Sequence, residues 1–529
     1  MKKVIKKIIS LTLCLVLLAA VAAPAGSAAE NKGYITIYVE GFSRRLYKNN
    51  IDADENEIWP PKVDIEAIVK NDLGPILKEL ASGIVTGNYD QYCDNIYNAL
   101  APIFAEMKLD DNGEASDGSG WGGDMLTDSY DISYSTFPNG RIRFSYDWRL
   151  SVEHNAAILE KFIDRVCREQ NVEKVNLLGR CMGGNLVNSY LQNAKNIDKV
   201  ENVVMYIPST MGMNLIGGLF SGNITFDDET INAFVDYTVN QNNLFGDEVT
   251  NQFVTALLAL FNELKILGIG LDAFQLAFDN VKDDIVPRLV RATFGTFPGF
   301  WAMIPEKYYQ EALDYNFGTP ELKAQYAGLI EKAESYHDNV QLNAYNRMTE
   351  LQNNGMRFIV ISKYNVPQVP VMPEANMLGD GLGETSNMAF GATAALHNST
   401  LEESYINSLS SEAKKYVSPD KMIDASTCHF PDTTWFIKDC HHNYFPDSVD
   451  VLINAFYENK DMTVFTYDEF PQYLQFYGQT DSEASGLIKP IEPVEKEELS
   501  DFRKLINSIV NFFKSLVNLI LNAFKAKEV

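Results

Sequence analysis

The chain predicts an α/β fold: a mostly parallel central sheet flanked by helices, with a helical cap inserted into it and an amphipathic helix at the C-terminus. Three observations carry this prediction. Runs rich in β-branched and aromatic residues alternate with helix-period segments up to residue 213. Strand-like runs resume after residue 355, beyond a long helical block. One predicted strand also runs straight into Gly179-Arg180-Cys181-Met182-Gly183, a G-x-C-x-G turn that opens a helix.

Residues 1–29 combine Lys2, Lys3, Lys6 and Lys7 with an apolar run and a small-residue end, the pattern of a bacterial-type secretory signal peptide. The apolar run is short for a membrane span, and Leu13 ahead of Cys14 is too large for a lipoprotein signal. The expected location is outside the cytoplasm. Residues 34–39 predict the first strand, ending at Glu40-Gly41-Phe42, and 142–146 a second, leading into Asp147-Trp148-Arg149. Between them lie a helical excursion at 63–108 and a Gly/Ser/Asp-rich loop at 110–123. A helix is expected over 153–168, then the strand 175–178, the turn, its helix and a strand at 203–208. Residues 214–354 read as a helical cap whose aromatic content suits a substrate pocket. Strands follow at 358–362 and 433–437, so the core spans 30–213 and 355–483.

Residues 484–498 read as a linker and 499–529 as an amphipathic helix. Its stripe of Phe502, Leu505, Ile509, Phe513, Leu516, Ile520 and Phe524 is accompanied by Arg503, Lys504, Lys514 and Lys525. Such a helix lies on a membrane surface, pairs with a second copy or folds back onto the parent domain.

The formal charge of −27 becomes −31 once the four signal-peptide lysines are removed. That field repels a phosphate backbone, so no nucleic-acid partner is expected. Five cysteines remain after the signal: Cys93, Cys167, Cys181, Cys428 and Cys440. An odd count leaves at least one thiol outside any intrachain disulfide. The spacing of Cys428 and Cys440 matches no zinc pattern, and the 110–123 loop lacks the EF-hand spacing. No metal or cofactor is expected.

The G-x-C-x-G turn supplies the candidate chemistry. Glycine two positions either side of Cys181 lets a strand turn sharply into a helix, and the helix N-terminus favours a thiolate. A thiol nucleophile needs a base, and the base needs an orienting carboxylate, in the chain order nucleophile, acid, histidine. His442 is the first candidate base and His441 the second, because only these two histidines follow the strand at 433–437 closely. His154, His337, His397 and His429 read as surface or packing residues. The acid candidates are Asp420, Asp380 and Asp424; Asp380 sits in an Asp-Gly turn after a strand.

The stretch from Val175 to Gly184, together with Tyr146-Asp147-Trp148-Arg149, resembles the α/β-hydrolase superfamily. It is most similar to lipases and the lecithin:cholesterol acyltransferase group, and the resemblance covers about 33–213 and 355–445. It implies an α/β-hydrolase fold and a lipid-like ester substrate. It also puts Asp420 first among the acids, since its 22-position spacing to His442 is close to that of bacterial lipases. By position, the oxyanion donors would be the backbone N–H groups of Met182 and Phe42. Cys181 departs from the usual serine and is similar in this to dienelactone hydrolases and polyhydroxyalkanoate synthases. Polymer synthesis draws on cytoplasmic acyl-CoA, which the export signal disfavours. The implied activity is acyl hydrolysis or acyl transfer through an acyl-thioester. The competing readings are a non-catalytic binding or surface protein on a hydrolase scaffold, and thioesterase or polyester-related chemistry.

Overall fold

The computed structural model describes residues 35–477 and 487–491, apart from 42–44, 62–70, 73, 128–129, 131, 133–140, 241–274 and 277. The expected signal peptide, the amphipathic helix at 499–529 and Phe42 therefore lie outside the described residues, as do most of the linker and part of the cap.

The strands are β1 (Ile35–Val39), β2 (Leu46–Tyr47), β3 (Glu57–Trp59), β4 (Ile142–Phe144), β5 (Val175–Arg180), β6 (Val200–Tyr206), β7 (Arg357–Tyr364), β8 (Thr393–Ala394), β9 (Ile423–Asp424), β10 (Thr434–Lys438), β11 (Tyr473–Tyr477) and β12 (Leu487–Pro490). Eight of them form one sheet in the order β12-β11-β10-β7-β6-β5-β1-β4. Every pairing in it is parallel except β11 with β12. The central strands read as unbroken apolar runs because both faces are covered: Leu177, Leu178, Val203, Val204, Ile359 and Ile361 are fully buried.

Helices cover those faces. In the helix Val152–Gln170 the Ser151 hydroxyl caps the N-terminus by accepting the His154 N–H at 3.0 Å. The helix closes on Asn171 in the left-handed conformation. The helix Met182–Asn193, which leaves β5 through the turn, is buried along almost its whole length. It lies in the interior of the protein.

Between β6 and β7 the described elements are all helices, from Asn214–Ser221 to Ala344–Asn353. An aromatic cluster seats this block on the sheet. Phe297 and Phe300 pack on Trp148 with ring centroids 5.9 and 5.8 Å apart, each pair adding about 1 kcal/mol beyond its buried area. Arg149 anchors the 110–123 loop beside them, pairing with Asp147 at 2.6 Å and donating to Ser119 and to the Met107 carbonyl.

The sheet extends past the last strand read from sequence, through β11 and β12. The expected linker at 484–498 is thereby corrected at Leu487–Pro490, which pairs antiparallel to β11. Ile488 buries into the core on that edge, and Pro490 is tolerated because an edge strand has ladder groups to spare. Among the described residues, no helix is long and apolar enough to cross a membrane.

Candidate active site

Cys181 stands at the carboxyl end of β5 and is the first residue of the turn into the helix Met182–Asn193. Its backbone is strained, with φ 50° and ψ −123°, a region that costs a non-glycine residue of order 1–3 kcal/mol. The surroundings hold it there. The Cys181 N–H donates to Tyr206 at 3.1 Å, and its carbonyl accepts from Gly184 and Ser209.

The flanking glycines are required by contact. A Cβ at Gly183 would lie 2.1 Å from the Val39 carbonyl oxygen, and one at Gly179 would lie 2.8 Å from that of Gly183. Gly183→Ala is accordingly expected to destabilise the fold by about 3 kcal/mol, since backbone, not a pliable side chain, must move. Denaturant titration reads this directly, and an unchanged midpoint would contradict it.

His442 lies in the loop after β10, and Asp380 in the loop after β7. His442 Nδ1 is 2.7 Å from Asp380 Oδ2, and the His442 N–H donates to the Asp380 carbonyl at 2.9 Å. The other carboxylate oxygen of Asp380 accepts the Gly383 and Leu382 N–H groups at 2.8 and 3.2 Å. With Nδ1 engaged, Nε2 is the nitrogen left for the Cys181 thiol, to which His442 hydrogen-bonds. All three side chains are essentially out of solvent.

Burial opposes charge on each member of this chain, but their mutual contacts outweigh it. Burial would raise the Cys181 thiol; His442, then Arg180 and the Met182 N–H, bring it below its ordinary value. Burial would lower His442; Asp380 and Cys181 lift it to about 9. The same balance lowers Asp380, with His442 and Lys363 as the partners. The other four thiols behave oppositely, as burial pushes Cys93 up to about 11 and raises Cys167, Cys428 and Cys440. All five are unpaired cysteines.

The order expected for the acids is corrected by this geometry. Asp420 meets the Tyr364 hydroxyl at 3.0 Å, Lys438 at 2.9 Å and the Ser418 hydroxyl at 2.7 Å, none of them part of this chain of contacts. Asp424 caps the turn at Ser426 and accepts from Tyr405. The second base candidate is corrected too. His441 takes the Asn443 N–H on Nδ1 at 3.2 Å and its ring abuts Gly381, where a Cβ would approach within 2.8 Å. Burial above all drives His441 down to about 3, so it stays neutral.

The Met182 N–H hydrogen-bonds to the Cys181 sulfur, whereas Phe42 lies outside the described residues. Just before it, Gly41 packs close to Cys181: a Cβ there would lie 3.3 Å from Cys181 Cβ. Glu40 is steadied by an ion pair with Arg143 and by the Tyr146 hydroxyl donating to its carbonyl at 2.7 Å. Elsewhere, His337 stacks on Tyr309 and His429 meets Thr349. Among the described residues no group of three or more His, Cys, Asp or Glu is placed to hold a metal ion. In the sequence Arg180 and Lys363 carry no functional mark, being a basic residue inside the turn and a lysine near the end of an apolar strand.

A mostly parallel eight-stranded sheet with flanking helices and a strained turn after a central strand is an α/β-hydrolase fold. Residues 137–237 match the family model for lecithin:cholesterol acyltransferase, a segment holding Tyr146 to Arg149 and the whole turn. Fold and match together support a lipase- or lecithin:cholesterol acyltransferase-like member of the α/β-hydrolase superfamily. Comparison with curated proteins gave no match, and comparison with solved structures gave none.

Proposed function

We propose that this protein is an exported acyl hydrolase or acyltransferase acting on lipid-like esters, with Cys181 as nucleophile, His442 as proton carrier and Asp380 as its orienting acid. The observation that supports it most is the Cys181 thiol on a strained turn, hydrogen-bonded to a histidine whose other nitrogen meets a buried carboxylate. The match to an acyltransferase family supports the reaction class. The N-terminal pattern of residues 1–29 supports export.

The lowered thiol and raised imidazole favour a thiolate–imidazolium pair, and attack starts from that form. Sγ attacks the ester carbonyl carbon, and the developing oxyanion takes the Met182 N–H. The tetrahedral adduct collapses as His442 gives its proton to the departing alkoxide, leaving an acyl-thioester and an alcohol. Neutral His442 then removes a proton from water or an acceptor alcohol. Its oxygen attacks the thioester, and the acid or new ester departs as the thiolate and imidazolium are restored.

Treatment with p-nitrophenyl esters of graded chain length, followed by mass spectrometry, tests this. The expected result is p-nitrophenol release and an acyl adduct on Cys181. No release and no adduct across the series would favour a binding protein on this scaffold.

A pH dependence follows. His442 loses its proton as pH rises through about 9, and with it the acid that protonates an alkoxide. Turnover of alkyl esters is therefore expected to fall above that pH, while acylation by p-nitrophenyl esters, whose leaving group needs no proton, stays level. Parallel profiles for the two ester types would contradict His442 as the acid.

A further inference from the structure

Three side chains at the carboxyl ends of adjacent strands converge on the loop that carries His442. Arg180, ending β5 and next to the nucleophile, donates Nη2 to the His442 carbonyl at 3.1 Å and to that of Asn443 at 3.0 Å. Lys363, on β7 and fully buried, donates Nζ to the carbonyls of His441, His442 and Tyr444 at 2.9, 3.2 and 2.6 Å. The Tyr206 hydroxyl, at the end of β6, donates to the Tyr444 carbonyl at 3.1 Å.

Two cations directed at one short stretch of backbone are costly to bury unless their donors are satisfied, and here the carbonyls do so together with Tyr38 at Arg180 and Cys440 at Lys363. Neither cation makes an ion pair with a carboxylate among the described residues. The titratable groups facing Lys363 include Cys440, Asp380, Arg180, His441 and the Tyr206 ring, and those facing Arg180 include Tyr38, Tyr206, Cys181, Cys440, His441 and Lys363. His441 and His442 share one turn, and a shift of one residue would exchange their places.

We propose that Arg180 and Lys363 are positioning residues that pin the His441–Tyr444 backbone, so that His442 alone faces Cys181 while His441 stays turned towards Gly381. Because Arg180 precedes Cys181 directly, the nucleophile and the base are held by one side chain. This rests on the reading of Cys181 and His442 as nucleophile and base.

The test follows iodoacetamide alkylation of Cys181 by peptide mass spectrometry across pH in the full chain, with no ester present. Wild type is expected to retain a reactive thiolate in mildly acidic solution, the sign of the Cys181–His442 pair. Lys363→Met is expected to lower that acidic limb by about tenfold, one unit of thiol ionisation. Single-turnover acylation by p-nitrophenyl butyrate is expected to fall by about 100-fold with KM little changed. Arg180→Lys, which keeps the charge and loses the fork, is expected to move both readouts the same way by less and covers the case of a misfolded Lys363 variant. Folded variants with wild-type profiles, whatever their unfolding midpoints, would overturn the proposal alone. A wild type with no acidic limb would overturn it together with the assignment of Cys181 and His442.

Discussion

Cys181→Ala is expected to lower ester turnover by at least about 10⁴-fold and to leave no acyl adduct on the chain. Alanine keeps the Cβ in the strained turn, so the sheet and both loops persist, yet nothing remains to attack the carbonyl. The paired variant Cys181→Ser sharpens the result. A serine hydroxyl does not exist as the anion that His442 stabilises on sulfur, so it must lose its proton during attack. Its expected activity is well below wild type, measured as single-turnover acylation beside circular dichroism to establish folding. A serine variant faster than wild type would mean that the site is arranged for an oxygen nucleophile, contrary to the lowered thiol of Cys181.

The second large effect separates the two leading carboxylates. Asp380→Asn is expected to cost about 10⁴-fold in kcat, because an amide at His442 Nδ1 no longer enforces the tautomer or supports the imidazolium. Asp420→Asn is expected to leave kcat within a few-fold. Its cost falls on stability, about 3 kcal/mol, since Lys438 loses the carboxylate it meets in a largely buried pair. Steady-state kinetics and denaturant titration on both variants decide the matter. A kcat loss in Asp420→Asn with Asp380→Asn active would reverse the assignment.

Features that depend on neighbours in the chain were legible in the sequence. The strands β1, β4, β5, β6, β7 and β10 read as apolar runs, and β5 followed by Gly179 to Gly183 read as a turn into a helix, since the steric demand there involves nearby residues. The strands β11 and β12 escaped, because a short edge strand carrying Pro490 looks like connecting chain until its partner is present. Arg180 and Lys363 escaped for a related reason. Their function in the fold is to donate to carbonyls far along the sequence, and a basic residue carries no mark of that.

The sequence by itself determined the parallel sheet, the turn, and the cysteine set on it, each from local sterics and from the burial of both faces of a strand. Only the tertiary structure decided which acid and which histidine face the thiol. Asp380 and His442 are 62 residues apart and meet because β7 and β10 are adjacent and parallel, bringing their following loops to one edge of the sheet. Spacing along the chain favoured Asp420, but the fold directs that side chain to Tyr364 and Lys438, where its charge is already satisfied.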